Sequence, residues 1–154
     1  MAQATTRDWL DGIQKGLLQQ LTENKGALPK GFNQDRFILN SITVIRDMLR
    51  DSKKKKQLQE IDYTSIPICL AKGAFLGLDF FNGECYAIPY GGEMKFQTDY
   101  KGEIKLCKRY SKNEIKDIFA KVVREGDFFE ESVDSGVQNV IYKPVSSTHL
   151  TLPT

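Results

Sequence analysis

Histidine is almost missing from this chain of 154 residues, which contains one, His149, close to the C-terminus. Nucleophilic hydrolases need a base such as imidazole to activate serine or cysteine, and this histidine lies in a tail whose character differs from the rest. The loop G-x-x-x-x-G-K-[ST], which cradles nucleotide phosphates, does not occur. These absences exclude a nucleophilic hydrolase and leave no P-loop for a nucleotide.

Cysteine and long apolar runs are scarce as well. The three cysteines, Cys69, Cys85 and Cys107, are odd in number, far apart and surrounded by apolar residues. The pattern predicts reduced core residues, with neither a disulfide framework nor a metal site. There is no apolar run long enough to span a bilayer and no signal-peptide pattern, so we expect a cytoplasmic protein without a membrane partner.

Net charge is small, because 22 Lys and Arg residues against 20 Asp and Glu residues leave only +2. A chain so close to neutrality does not attract a polyanion over its whole surface, so any binding of nucleic acid must use a local patch. The densest basic run is Lys53 to Lys56. We interpret it as a solvated loop between helices, with an auxiliary phosphate contact as the alternative.

Helical periodicity dominates the first half of the chain. Apolar residues from Trp9 to Leu21 recur at helical spacing and predict an amphipathic helix, whose apolar face packs on its own domain or serves a neighbouring subunit. Asn33 is placed to cap a second, core helix. A third helix, largely apolar, is predicted from Ile66 to Leu76.

A predicted hairpin and a basic helix follow. The alternating segments Cys85 to Tyr90 and Glu93 to Tyr100 flank Gly91-Gly92, which is typical of a β-hairpin. From Lys101 to Tyr110 the period becomes helical, and the cationic residues share roughly one flank. Such a surface suits a phosphate backbone, and neighbouring aromatic rings offer faces for base stacking, although they fit a protein core equally well.

The last third predicts two further strands. Ile115 to Arg124 favours a strand, Glu125 to Asp127 a turn, and Val137 to Tyr142 a second strand that pairs with the first. The acidic residues Glu130, Glu131 and Asp134 are interpreted as a solvated hairpin tip rather than a metal site. The fold class is therefore α+β, with N-terminal helices packed on a small antiparallel β-sheet made of a hairpin, a short basic helix and a further hairpin.

Four ordered segments carry a resemblance to a known family: YAIPY at 86–90, FQTDYKG at 96–102, LCKRYS at 106–111 and VVREGD at 122–127. In order and spacing they resemble the RecT family of phage recombinases, from about Leu28 to Pro144. Asp99 departs from the pattern, since the family usually has glycine before Tyr-Lys-Gly.

The resemblance implies a protein that binds single-stranded DNA and anneals complementary strands without ATP, a cofactor or catalysis. The implied partners are single-stranded DNA, the annealed duplex, further copies of the chain, an exonuclease and the host single-strand binding protein. The candidate DNA-binding residues are Lys95, Gln97, Tyr100, Lys101, Lys105, Lys108, Arg109 and Arg124, with Tyr90 and Phe96 as candidates for base stacking.

One annealing domain is expected at 1–144, with a helical part at 8–76 and a hairpin and helix core at 77–144. The tail 145–154 looks like the translated read-through of a sequencing adapter, and we expect it to be non-native. Family members continue past this point with more sheet and a further helix.

Two alternatives remain open. A metal-dependent nuclease is suggested by Asp79 followed by Glu93-Met94-Lys95, which imitates an acid and E-x-K spacing. The same tripeptide pattern also occurs at 103–105 and 114–116, so it is expected by chance in a chain of this composition and is weak evidence for a nuclease. A structural or oligomerisation module that binds no DNA is the second alternative, and it would show no salt-sensitive binding to oligonucleotides.

Overall fold

A computed structural model describes residues 6–118 and 120–145. Within these residues the chain forms five α-helices, one 3₁₀ turn and two separate antiparallel hairpins, which confirms the predicted α+β class. None of the described helices is long and apolar enough to cross a membrane. The chain divides into two compact units, Met1–Lys116 and Asp117–Thr154.

The first unit holds the five helices and the first hairpin. Its helices are α1 (Thr6–Glu23), α2 (Gln34–Arg50), α3 (Ser52–Glu60), α4 (Ser65–Leu76) and α5 (Tyr100–Tyr110), with a 3₁₀ turn at Lys25–Ala27. Its strands are β1 (Cys85–Tyr90) and β2 (Glu93–Thr98), while the second unit contains β3 (Phe128–Asp134) and β4 (Val137–Lys143).

The apolar face of α1 packs inside its own unit, against α2 and α4. Ile13, Leu17 and Leu21 are completely buried there. The contact with α4 is close at Gly16, where a Cβ atom would lie 2.9 Å from Cγ of Pro67. Of the two alternatives for this face, the structure therefore has packing on its own domain.

The lysine run was predicted to be a loop, and this prediction was wrong: Lys53 to Lys56 form the first half of α3. Lysine is a good helix former, and Asp51 caps the helix because its Oδ1 accepts hydrogen bonds from the backbone N–H groups of Lys53 (2.9 Å) and Lys54 (3.2 Å). Leu58 anchors the helix in the core, and the lysines remain exposed.

Helix α4 lies at the centre of the first unit, and most of its residues are buried. It ends at Gly77, whose φ of 63° lies in the left-handed region that favours glycine. The backbone N–H groups of Gly77 and Leu78 donate to the carbonyls of Ala74 and Gly73, which closes the helix before the chain runs on to β1.

The first hairpin confirms the predicted turn. Gly91 and Gly92 have φ of 62° and 79°, as a tight two-residue connection requires, and Tyr90 pairs with Glu93 across it. The inner side of the hairpin packs on α4, where Ser65 Oγ accepts a hydrogen bond of 2.8 Å from the backbone N–H of Met94. The hairpin is thus fixed to the core by one side only.

The strand predicted at 115–124 is not formed: the described residues of this segment have no regular structure, and Phe119 lies outside them. Val137 to Tyr142 does form a strand, but its partner is β3, which contains the acidic residues expected at a hairpin tip. Ser135 and Gly136, with φ of 50° and 81°, form the tight turn that selects this pairing. Residues 146–154 of the tail also lie outside the described residues.

Two of the three cysteines are buried as predicted, and the third is not. Cys69 and Cys85 lie in the core of the first unit, and burial raises the pKa of each thiol to about 12. Cys107 is exposed on α5, which corrects the expectation that it is a core residue. All three are free thiols.

Candidate nucleic-acid interface

The solvent-facing side of the first hairpin, which we call the outer face, carries aromatic and apolar side chains. Tyr86 lies opposite Gln97, Ile88 opposite Lys95, and Tyr90 opposite Glu93. Tyr90 is 75% exposed, Tyr86 45% and Ile88 39%. Large apolar side chains on a small sheet are normally covered, so this exposed group is a candidate binding surface.

Phe96 lies on the other side of the hairpin. It packs against the buried core, and its ring meets the ring of Phe80 edge to face at a centroid distance of 6.2 Å. Tyr86, and not Phe96, is the second aromatic residue on the outer face, and it was not among the candidates selected from the sequence. The sequence pattern could have indicated it, because residues four apart in a strand point to the same side of the sheet, and Tyr86 and Tyr90 are four apart.

Lys95 and Gln97 are both exposed on the outer face. Lys95 forms an ion pair with Glu93, with 2.5 Å between Nζ and Oε2, and about half of each side chain remains accessible. The charge of Lys95 is therefore partly cancelled beside the turn. Gln97 keeps an amide that can donate to a backbone oxygen.

Helix α5 begins directly after β2, with Asp99 at its N-cap position. The Asp99 side chain makes no capping hydrogen bond. Gly102 presses against the backbone carbonyl of Glu84, where a side chain would overlap that oxygen. Tyr100 and Lys101, in the first turn of α5, are exposed, and Nζ of Lys101 lies 5.9 Å from the centre of the Tyr100 ring.

Lys105 is engaged in an ion pair with Glu84. Its Nζ lies 2.7 Å from Oε2 and 2.9 Å from Oε1 of that carboxylate, and Oε2 also accepts a hydrogen bond from the backbone N–H of Asp79. The pair ties α5 to the segment between α4 and β1. The positive charge of Lys105, which was assigned to DNA binding from the sequence, is thus paired with a carboxylate of the same chain.

Arg109 closes the C-terminus of α4. Its Nη1 donates a hydrogen bond of 2.6 Å to the carbonyl of Leu76, and a Cβ atom on Gly77 would lie 2.6 Å from the same nitrogen. Glycine at position 77 therefore leaves room for the guanidinium as well as allowing the left-handed backbone. Lys108, its neighbour on α5, is exposed.

The cationic residues of α5 do not all line one feature. Lys105 and Arg109 border a cleft of about 290 Å³ in the first unit, together with Lys30 and Arg36. The last two were not singled out from the sequence, because they lie on another segment and form no dense basic run. Lys101 and Lys108 do not line this cleft.

Arg124 belongs to the second unit, where its backbone N–H donates a hydrogen bond of 2.9 Å to Asp127 Oδ2. The same carboxylate accepts from the backbone N–H of Val145 and from the hydroxyl of Tyr142, and hydrogen bonding lowers the pKa of Asp127. These bonds fix the start of β3. A role of Arg124 in DNA binding stays a prediction.

The residues of the nuclease alternative lie in different environments. Asp79 accepts hydrogen bonds from Asn40 Nδ2 (2.9 Å) and from the backbone N–H of Phe81 (2.8 Å), whereas Glu93 is paired with Lys95 beside the hairpin turn. Among residues 6–118 and 120–145 there is no group of three or more His, Cys, Asp or Glu that could hold a metal ion.

Comparison with known proteins agrees with the resemblance seen in the sequence. The family model described as the RecT family matches residues 35–148. The chain therefore belongs to the RecT family, and the match ends four residues beyond the expected limit at Pro144. No curated protein and no solved structure matches the chain. Membership associates the chain with phage recombination and strand annealing.

Proposed function

We propose that this protein binds single-stranded DNA and promotes ATP-independent annealing of complementary strands in phage-type homologous recombination. The observation that carries the proposal is the outer face, where Tyr86, Ile88 and Tyr90 are exposed on a hairpin that leads directly to Tyr100 and Lys101. Proteins that bind single strands without sequence preference combine aromatic faces for the bases with cations for the phosphates. Family membership supports the same function.

Annealing requires that a strand be held with its base-pairing edges free. A tyrosine ring contacts the flat face of a base, so stacking on Tyr86 and Tyr90 leaves the hydrogen-bonding edges available to a complementary strand. Lys101 supplies a charge for the phosphate backbone, and it belongs to none of the ion pairs found among the described residues. Base pairing drives the reaction, so neither ATP nor a catalytic residue is needed.

The proposal includes the partners that the family implies. The chain acts in the cytoplasm as a homo-oligomer on single-stranded DNA and on the annealed duplex, together with an exonuclease and the host single-strand binding protein. The annealing domain spans 1–144, and Gln97, Lys95, Lys108 and Arg124 contribute further contacts. Phe96 is left out of the proposed surface because its ring packs against the core.

An annealing assay without ATP or magnesium tests the proposal. Two complementary oligonucleotides carry a fluorophore and a quencher, and duplex formation is followed with the unaltered chain and with Tyr86→Ala/Tyr90→Ala. Each lost stacking contact costs about 1 to 3 kcal/mol, so we expect the double variant, which loses two, to bind at least about thirtyfold more weakly and to anneal more slowly. Lys101→Ala should reduce binding and lower its salt dependence.

The matched control is Phe81→Ala, which removes an aromatic side chain that is 60% exposed in the segment between α4 and β1. This variant should anneal normally. Equal losses in the control and in the double tyrosine variant would contradict a specific role of the outer face. A flat salt response of oligonucleotide binding would favour the non-DNA module, and magnesium-dependent loss of labelled DNA would favour the nuclease.

A further inference from the structure

The cleft of about 290 Å³ in the first unit is separate from the outer face. Its walls come from three segments that are distant in the sequence: the stretch before α2 with the first turn of that helix, the segment after α4, and α5. None of the residues of the outer face lines it, and the residues that bear on its chemistry are Lys30, Arg36, Asp79, Asn82, Lys105 and Arg109.

The charges in the cleft do not cancel. Lys105 is neutralised by Glu84 at 2.7 Å and serves as part of the wall. Lys30 and Arg36 are exposed and form no ion pair within the part of the chain that the structure describes. Arg109 uses Nη1 on the carbonyl of Leu76, which leaves most of its five N–H donors for a ligand.

One carboxylate, that of Asp79, also borders the cleft, and its oxygens are already engaged. Oδ2 accepts from Asn40 Nδ2 at 2.9 Å and from Asn82 Nδ2 at 3.5 Å, and Oδ1 accepts from the backbone N–H of Phe81 at 2.8 Å. These donors offset part of its charge. Three cations against one carboxylate leave the cleft positive, in a chain whose net charge is only +2.

We infer that this cleft binds a phosphate group of the nucleic-acid strand through Lys30, Arg36 and Arg109. Guanidinium groups match phosphate oxygens with paired N–H donors, and two of the three cations are arginines. The site is also built in advance: Gly77 leaves room for the Arg109 guanidinium, and the Phe32 and Phe37 rings, 5.2 Å apart, form an apolar floor. The guanidinium of Arg109, already held by the carbonyl of Leu76, therefore loses less conformational entropy on binding than a free arginine side chain would.

The inference rests on the proposed function only for the identification of the ligand as a nucleic-acid strand. Binding of a phosphate group in the cleft is expected whether or not the chain anneals DNA. The first measurement is therefore made without DNA. Inorganic phosphate is titrated into the ¹⁵N-labelled chain at constant ionic strength, with chloride as the reference anion. Saturable shifts of the Arg109 side-chain and Gly77 backbone signals are expected, and they should be lost in Lys30→Ala/Arg36→Ala. Shifts equal to those caused by chloride would overturn the inference.

The second measurement is the binding of oligothymidylate as a function of salt. Lys30→Ala/Arg36→Ala removes two exposed side chains, so the fold should persist. Each lost contact with a single strand should lower the slope of log affinity against log salt by about 0.7. We expect at least about a fivefold loss of affinity near physiological salt. The charge-matched control Lys15→Ala/Arg46→Ala removes two exposed cations outside the cleft and should leave slope and affinity unchanged.

The source of the phosphate is distinguished by comparing oligonucleotides with and without a 5′-phosphate. Equal losses with both assign the cleft to an internal phosphodiester, and a loss confined to the phosphorylated strand assigns it to a chain end. No loss with either strand, or the same loss in the control, would overturn the inference. Phosphate binding to a chain that binds no oligonucleotide would instead contradict both the proposed function and the nucleic-acid source of the ligand, and would leave the cleft as a site for inorganic phosphate alone.

Discussion

The three cysteine residues differ in their exposure to solvent and therefore in the reactivity expected of their thiols. Cys69 and Cys85 are buried, and burial raises the pKa of each thiol to about 12, so both stay protonated near pH 8. Cys107 is exposed. Because the thiolate is the reactive form, an aromatic disulfide reagent should label Cys107 quickly and the other two slowly.

The reagent count checks this prediction. Near pH 8 we expect one fast thiol in the native chain and three in denaturant, where Cys69 and Cys85 become exposed and the pKa of these two thiols returns towards about 8.5. Cys107→Ser should abolish the fast phase, while Cys69→Ser should leave it unchanged. Three equally fast thiols in the native chain would mean that the core around α4 is open.

Gly102 is the residue where a single methyl group should matter most. A Cβ atom there would overlap the backbone carbonyl of Glu84, which cannot rotate away as the end of a side chain can. We expect Gly102→Ala to destabilise the fold by about 1 to 3 kcal/mol or more, as measured by urea unfolding. Gly26→Ala is the control, since no heavy atom lies within 4 Å of its Cβ position. Similar midpoints for both variants would contradict the close approach of α5 to the segment before β1.

At the scale of elements, α1 is a core helix of the first unit. Leu17 is completely buried, whereas its neighbour Leu18 is 45% exposed. We expect Leu17→Ala to lower the free energy of unfolding by about 2 to 5 kcal/mol and Leu18→Ala to have a small effect, because only the first leaves a cavity. Thermal unfolding of the two variants at equal concentration provides the test.

Self-association of the same two variants supplies the complementary test. If Leu17→Ala changed the oligomeric state while its unfolding midpoint stayed unchanged, α1 would serve a neighbouring subunit rather than its own core. The physical reason to expect otherwise is that Ile13, Leu17 and Leu21 have no exposed surface left to offer a partner.

At the scale of the whole molecule, the two hairpins are similar in topology and different in burial. Cys85, Ala87 and Met94 are buried in the first hairpin, whereas no residue of β3 or β4 is buried. A two-stranded hairpin without a core is marginally stable in water. We therefore expect backbone amides of β3 and β4 to exchange with deuterium much faster than those of β1 and β2.

Hydrogen exchange followed by mass spectrometry checks this expectation at low protein concentration, where association is minimal. The two hairpins are internal controls for each other, because both have antiparallel pairing and a two-residue turn. Equal protection would show that the second hairpin is covered in solution.

The sequence determined the features that depend on neighbouring residues. The periodicity of α1, α2 and α4, the Asn33 cap, the Gly91-Gly92 turn and the change of period at α5 all follow from local patterns, and each is present. Local patterns also gave a wrong prediction. The β-branched residues at 115–124 favour a strand, but a strand needs a partner to pair with. The Ser135-Gly136 turn pairs β4 with β3 instead, so the segment 115–124 has no partner strand among the described residues.

The tertiary structure decided which charges are available. Lys105 and Glu84 are 21 positions apart, and Arg109 and Leu76 are 33 apart, so no local pattern indicates either contact. The same folding brings Lys30 and Arg36 to the cleft and turns Phe96 inward while Tyr86 stays exposed. The physical reason is that the sequence lists the charges and rings, whereas their pairing and exposure depend on where distant segments pack.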